Sequence, residues 1–131
     1  MHNIFYKYKF IFYFCNLVLV IFYLYPGSIL GCFLYNDCNF QPQLTPDFII
    51  SSNHFYVFCL ISIIGVFTYK NSEQIKLLII YLILLSIFLE IFHIFISNRS
   101  FEYLDLFGNL VGSLVVIVLN YFIRNYAKSK N

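Results

Sequence analysis

The stretch LEIFHIFISNRSFEYLDLFGNLVG, residues 89–112, decides the fold. Its two halves belong to longer apolar runs, and Ser97-Asn98-Arg99-Ser100 between them leaves room only for a tight turn. Segments joined so briefly pack as antiparallel neighbours. Each half carries polar side chains inside its apolar run, Glu90 and His93 before the turn and Asp105 and Asn109 after it. Spacings of three and four share one face of a helix, so each pair lies on a common stripe, which Gly112 continues on the second segment. An ionised side chain in mid-helix costs about 2.5–3.5 kcal/mol on insertion and is by default a functional candidate.

The rest of the chain agrees with a membrane reading. At 131 residues, 61% hydrophobic and 11% charged, with a mean hydropathy of +0.80, it is no ordinary soluble domain. Lipid must cover its apolar surface and the backbone must satisfy its own hydrogen bonds, which helices do. A spanning helix needs about 20 apolar residues. Four segments approach that length: Phe10–Tyr25, Asn53–Tyr69, Leu77–Ser97 and Tyr103–Ile123. They predict an all-α membrane protein, a bundle of four transmembrane helices forming a single membrane domain over residues 1–131, with an outward loop at 26–52. A net charge of +2, without an interleaved basic stripe, argues against a nucleic-acid partner. Gly-rich phosphate loops, Gly-x-Ser-x-Gly and His-Glu-x-x-His are absent from the sequence. Without an internal repeat or a pair of broken helices, four short helices give little room for alternating access.

Lys and Arg fix the expected orientation. Lys7 and Lys9 precede the first segment, Lys70 and Lys76 separate the second and third, and Arg124, Lys128 and Lys130 follow the fourth. The loop 26–52 has neither residue type, and the third connection has only Arg99. Cytoplasmic flanks are the basic ones, which predicts a multi-pass protein with both termini cytoplasmic; the resemblance described below implies the inner (plasma) membrane. A signal sequence is the alternative for the first segment, but no small-x-small cleavage pattern follows it. Ile29-Leu30-Gly31-Cys32 has only a faint likeness to a lipoprotein processing site. Cys15 and Cys59 fall inside apolar segments as small buried hydrophobes. Cys32 and Cys38 share the outward loop, where a disulfide is permitted but spacing alone leaves it open. With no Cys-x-x-Cys pattern, no structural zinc site and no cofactor are expected.

A helix rises 1.5 Å per residue, which sets Glu90 roughly 10 Å below the outer end of its segment. Asp105 and Asn109 descend from the same side, His54 opens the second segment there, and Arg99 sits in the turn above. A polar pocket at the outer leaflet is the expectation. Gly108 and Gly112 form a Gly-x-x-x-Gly that lets helices within the chain approach closely. Ser100 is placed to cap the last segment, and Glu102 suits the positive end of its dipole.

Glu90, Arg99-Ser100, Asp105, Asn109 and Gly112, at this spacing, resemble the hallmark of the VanZ-like family. Tyr25-Pro26-Gly27 is similar to the Leu-Pro-Gly that ends the family's first helix, and His54 matches a His that opens its second. His93 stands where the family usually has Gln, and Ile50-Ser51 replaces a common Asp-Lys pair. The resemblance covers nearly the whole chain. It implies a four-helix envelope protein of a family named for low-level resistance to teicoplanin, a glycopeptide antibiotic, without naming a substrate or reaction.

Three functions are consistent with these residues. In the first, His54, Glu90, His93, Arg99, Asp105 and Asn109 line an outward pocket for an envelope glycolipid or lipid-linked wall precursor, with Arg99 meeting a phosphate and the carboxylates holding Arg99. The second is an intramembrane lipid-modifying enzyme in which Glu90 is acid or base and His54 or His93 its partner or a metal ligand, since Glu-x-x-His offers two ligands on one helix. The usual Gln at position 93 speaks against an obligatory metal. In the third, Glu90, Arg99 and Asp105 form a buried ion network in a structural assembly partner, as polar groups in bundles commonly pair. Oligomeric state is not legible. The topology is checked with reporters: a fluorescent protein after Lys130 is expected to fluoresce, and alkaline phosphatase inserted after Gln43 to be active, whereas the reverse pattern would refute the orientation.

Overall fold

The computed structural model describes residues 9–130, which form five α-helices and one 3₁₀ turn, with no strand among the described residues. They are α1 (Lys9–Leu24), α2 (Ile29–Tyr35), α3 (Ser52–Tyr69), α4 (Ile75–Phe92) followed by the turn His93–Phe95, and α5 (Tyr103–Ser129). α3, α4 with its turn, and α5 are each long and apolar enough to cross a membrane. A fourth span exists if α1 and α2, bent by 81° at the break between them, count as one. Lys7, used above for orientation, lies outside the described residues.

α1 lies over the expected first segment, 10–25, and its 16 described residues span about 24 Å. Pro26 ends it, because proline has no N–H to donate and disfavours helical backbone at the residue before it. Gly27 follows at a φ of +104°, which turns the chain sideways. The expected loop 26–52 then contains α2, a helix that was not foreseen. Ser28 caps α2 by accepting the Gly31 N–H at 2.9 Å, and Asn36 closes it in the left-handed region. Cys32 and Cys38 form a disulfide across this turn, deciding the pairing that spacing left open. The remaining loop is tied to the start of α3. Asn53 accepts the Leu44 N–H at 3.0 Å and donates to the Pro42 carbonyl at 2.8 Å, while Asp47 accepts the Ser52 N–H at 2.9 Å.

Four further boundaries move. α3 and α4 start slightly earlier than expected, at Ser52 and Ile75, and α4 tightens into the 3₁₀ turn after Phe92 instead of continuing to Ser97. α5 runs beyond Ile123 to Ser129, since Arg124, Asn125, Tyr126, Ala127 and Lys128 include no helix breaker. Ser100 is not the cap of α5. Glu102 holds that position without a side-chain cap bond, and Ser100 lies too far ahead of Tyr103, donating to Glu102 Oε1 at 3.3 Å.

Packing places α1 and α5 each against both α3 and α4, with α5 most intimate with α3 and less so with its sequence neighbour α4. Glycine explains the preference. A methyl added at Gly108 would stand 2.7 Å from the Ser51 carbonyl oxygen, and one at Gly112 2.5 Å from that of Phe55. Lower in the seam, Ser62 donates to Ser113 at 3.2 Å, and Ser113 meets Ser86 at 3.3 Å, joining α3, α5 and α4 through three fully buried hydroxyls. Small residues of this kind let apolar helices touch closely. Phe58, Leu82, Leu89 and Ile61 fill the surrounding core. Cys15 and Cys59 are half-buried, not buried as expected, because each lies partly on an outer face; Cys59 Sγ reaches the Gly112 carbonyl at 3.4 Å. At the end away from His54, Tyr81 donates to Asn16 Oδ1 at 2.6 Å and Tyr69 to the Tyr13 hydroxyl at 3.1 Å, tying α1 to α4 and α3.

Gly112→Ala is expected to cost about 1–3 kcal/mol through overpacking against the α3 backbone. A lowered thermal unfolding midpoint of the detergent-purified protein checks it; an unchanged midpoint would mean that α3 and α5 are not in this contact.

Candidate functional site

The end of α1, the start of α3, the end of α4 and the start of α5 meet at one level. Their side chains form a buried polar node. Tyr23, on the last turn of α1, donates its hydroxyl to Asn109 Oδ1 at 2.6 Å and lies 3.0 Å from His54 Nδ1. His54 Nδ1 is also 3.1 Å from Asn109 Oδ1, and Asn109 Nδ2 donates to the Ser86 carbonyl at 3.2 Å. The Tyr23 ring stacks on His93 with centroids 5.6 Å apart.

Glu90 is fully buried beside this node. Its Oε1 accepts the Glu102 backbone N–H at 3.0 Å and faces His93 Nδ1 at 3.3 Å. His93 Nε2 in turn faces the Tyr23 carbonyl oxygen at 3.0 Å. Both imidazole nitrogens therefore lie within hydrogen-bond distance of an oxygen. The second oxygen, Oε2, has no hydrogen-bond partner and lies 3.9 Å from His54 Nδ1. Asp105, partly exposed at the rim, brings Oδ2 to 3.4 Å from His54 Nε2.

The structure thus brings His54, Glu90, His93, Asp105 and Asn109 together, but Arg99 is not held by the carboxylates. No ion pair joins it to Glu90 or Asp105 among the described residues. Its guanidinium donates to the carbonyls of Gly27 at 2.6 Å and Phe22 and Tyr25 at 3.4 Å each, and to Gln41 Oε1 at 3.2 Å. The expected Glu90–Arg99–Asp105 network is corrected accordingly. The Phe22 carbonyl in the last turn of α1 and those of Tyr25 and Gly27 just beyond it converge on the guanidinium, which caps this end of the helix. The histidines take the carboxylates instead. Burial lowers the Arg99 basicity from its usual range, and the nearby Asp105 carboxylate opposes that shift.

Two cavities open beside the node. One, of about 240 Å³, is polar and bounded by Asn39, Gln41, Asn98, Arg99, Ser100 and Asp105 among others. The other, of about 630 Å³, is an apolar groove whose walls include Phe14, Val18, Phe22, Leu30, Val57 and Leu60. Ser28, Gln41, His93 and Arg99 border both. Sequence reasoning missed Tyr23, Ser28, Gln41 and Ser86. Tyr23 is one of 12 tyrosines, and nothing in its neighbourhood marks it. Comparison of the chain with known protein families, curated proteins and solved structures finds no match.

Tyr23→Phe keeps the ring but removes the donor to Asn109. A loss of about 1–3 kcal/mol is expected for the unpaired buried acceptor, against no more than about 0.5 kcal/mol for Tyr56→Phe, whose hydroxyl meets the exposed Thr45. Thermal unfolding of the two variants side by side checks this, and equal shifts would remove Tyr23 from the node.

Proposed function

We propose that this chain is a VanZ-like integral membrane protein of the plasma membrane, with cytoplasmic termini, that binds one anionic amphipathic lipid at the outer end of its bundle. A glycolipid or lipid-linked wall precursor of the envelope has the matching chemistry. The observation that carries this reading is the shared wall of the two cavities. The polar cavity suits a head group and the apolar groove a hydrocarbon chain, and Arg99 stands where they meet. Sites for such ligands combine mostly apolar walls with a few convergent polar groups.

Arg99 carries the case for an anionic head group, in a polar cavity that Glu102 and Asp105 also border. Arg99 is bonded to neutral carbonyl and amide oxygens, so its positive charge is not cancelled by a direct carboxylate contact. A guanidinium in that state favours phosphate or sulfate over a zwitterion. The outward loop contributes exposed Phe33, Leu44, Phe48 and Ile49, an apolar set suited to resting on the outer lipid surface. The family resemblance adds an expectation of envelope work, including teicoplanin resistance. His93 in place of the usual Gln does not weaken it, because the contact with Glu90 Oε1 needs only an N–H donor, which an amide also supplies.

The test is lipid competition. Protein is purified from bilayers holding equal phosphatidylglycerol and phosphatidylcholine of the same chains, and co-purifying lipid is quantified by mass spectrometry. Enrichment of the anionic lipid by about tenfold is expected, the yield of one charge-assisted hydrogen bond. Arg99→Gln is expected to remove the enrichment and Arg99→Lys to keep most of it. In a susceptible host, Arg99→Gln is expected to lose teicoplanin resistance without losing accumulation. Equal retention of both lipids by the unaltered protein would sink the proposal, and failure of Arg99→Gln alone to accumulate would assign Arg99 to capping α1.

A further inference from the structure

We propose that His54, Glu90 and Asp105 form a binding site for one divalent transition-metal ion, with zinc the ion that best fits the ligands. Three elements supply them, α3, α4 and α5, and one ligand atom from each lies within 4.8 Å of the others. The set, one imidazole and two carboxylates, is a three-ligand arrangement that leaves a fourth position open on zinc. The inference goes beyond the lipid reading and does not depend on it.

The first argument is the orphaned oxygen. Glu90 is fully buried, its Oε1 is used by His93 and the Glu102 N–H, and its Oε2 has no hydrogen-bond partner, lying 3.9 Å from His54 Nδ1 and in the group of ligand atoms that fall within 4.8 Å of one another. A buried carboxylate oxygen without a partner is costly. A cation seated between Glu90, His54 and Asp105 meets that need.

The second argument is the spacing at His54. Nε2 faces Asp105 Oδ2 at 3.4 Å, while Nδ1 lies 3.1 Å from Asn109 Oδ1. Two ligand atoms on a common tetrahedral zinc, each bound at about 2.0–2.1 Å, stand about 3.3 Å apart. Ligating histidines also characteristically donate their other ring N–H to a neighbouring acceptor, the role Asn109 fills here. His93 is not a ligand. Both its nitrogens are used, and it acts by holding Glu90 Oε1.

Access comes through Asp105, which borders the polar cavity, so the open coordination position faces water or an anionic oxygen in that space. The competing occupant is a proton shared between His54 and Asp105, which would make the cluster a hydrogen-bonded one with no metal affinity.

The experiment uses the full chain in detergent, stripped with a chelator and dialysed, then titrated with zinc by calorimetry and with cobalt(II) by visible absorption. One zinc per chain is expected, with a raised thermal midpoint and a cobalt spectrum of four-coordinate nitrogen and oxygen ligation. Glu90→Gln and Asp105→Asn are each expected to weaken zinc binding by about 100-fold or more, beyond the effect typical of losing an outer-shell contact. Glu73→Gln, distant in sequence and exposed, is expected to change nothing. Should Glu90→Gln fail to fold, Asp105→Asn at the partly exposed rim carries the comparison. Absence of saturable binding by the unaltered protein, or binding unchanged in Asp105→Asn, would overturn the site, whatever the lipid competition gives.

Discussion

Asn109 touches every long helix of the bundle. It stands on α5, accepts from Tyr23 of α1, lies against His54 of α3 and donates to the Ser86 carbonyl of α4. The groups that make these bonds are buried, so water does not readily replace them. Each is worth only about 1 kcal/mol when made, yet leaving a buried partner unpaired costs about 1–3 kcal/mol. The amide therefore sets the height at which four helix ends must meet. The glycines beside it, Gly108 and Gly112, let α5 come close enough to α3 for the bonds to form. The serines below continue the same seam with small polar groups.

Around that node the charges sort by the geometry of what they face. Arg99 has a planar fork of donors and sits above the end of α1, where carbonyl oxygens converge. The carboxylates lie deeper, within reach of imidazoles and of one backbone N–H. The result separates a guanidinium at the mouth from a carboxylate and histidine group beneath it. A site of this form has two chemically different floors, one suited to anions and one to cations. The polar cavity, which Arg99 and Asp105 both border, connects them.

The helical architecture was legible because apolar length is a one-dimensional property; α1 and α3 fall close to their expected bounds, while α4 stops at Phe92 and α5 runs on to Ser129. The polar stripe was legible for a similar reason, as Glu90 with His93 and Asp105 with Asn109 follow helical spacing. What the residues did not reveal depends on the backbone. The 81° bend after α1, the capped turn of α2 and the carbonyls that capture Arg99 are consequences of where helices stop. Charge alone suggested that Arg99 would join Glu90 and Asp105; unsatisfied helix-end carbonyls proved the stronger claim on it. Tyr23 escaped notice because its importance comes from depth and rotamer, and a tyrosine among many carries no mark of either.

Because Asn109 lies on the last helix, the order in which a ribosome delivers the chain has a physical cost. When α1, α3 and α4 have emerged, the Tyr23 hydroxyl and His54 still lack their common amide, and Glu90 lacks the N–H of Glu102. Until α5 is in place, Glu90 Oε1 lacks one of its partners and Ser62 lacks the hydroxyl of Ser113. A chain cut short before Asn109 would lack these partners permanently.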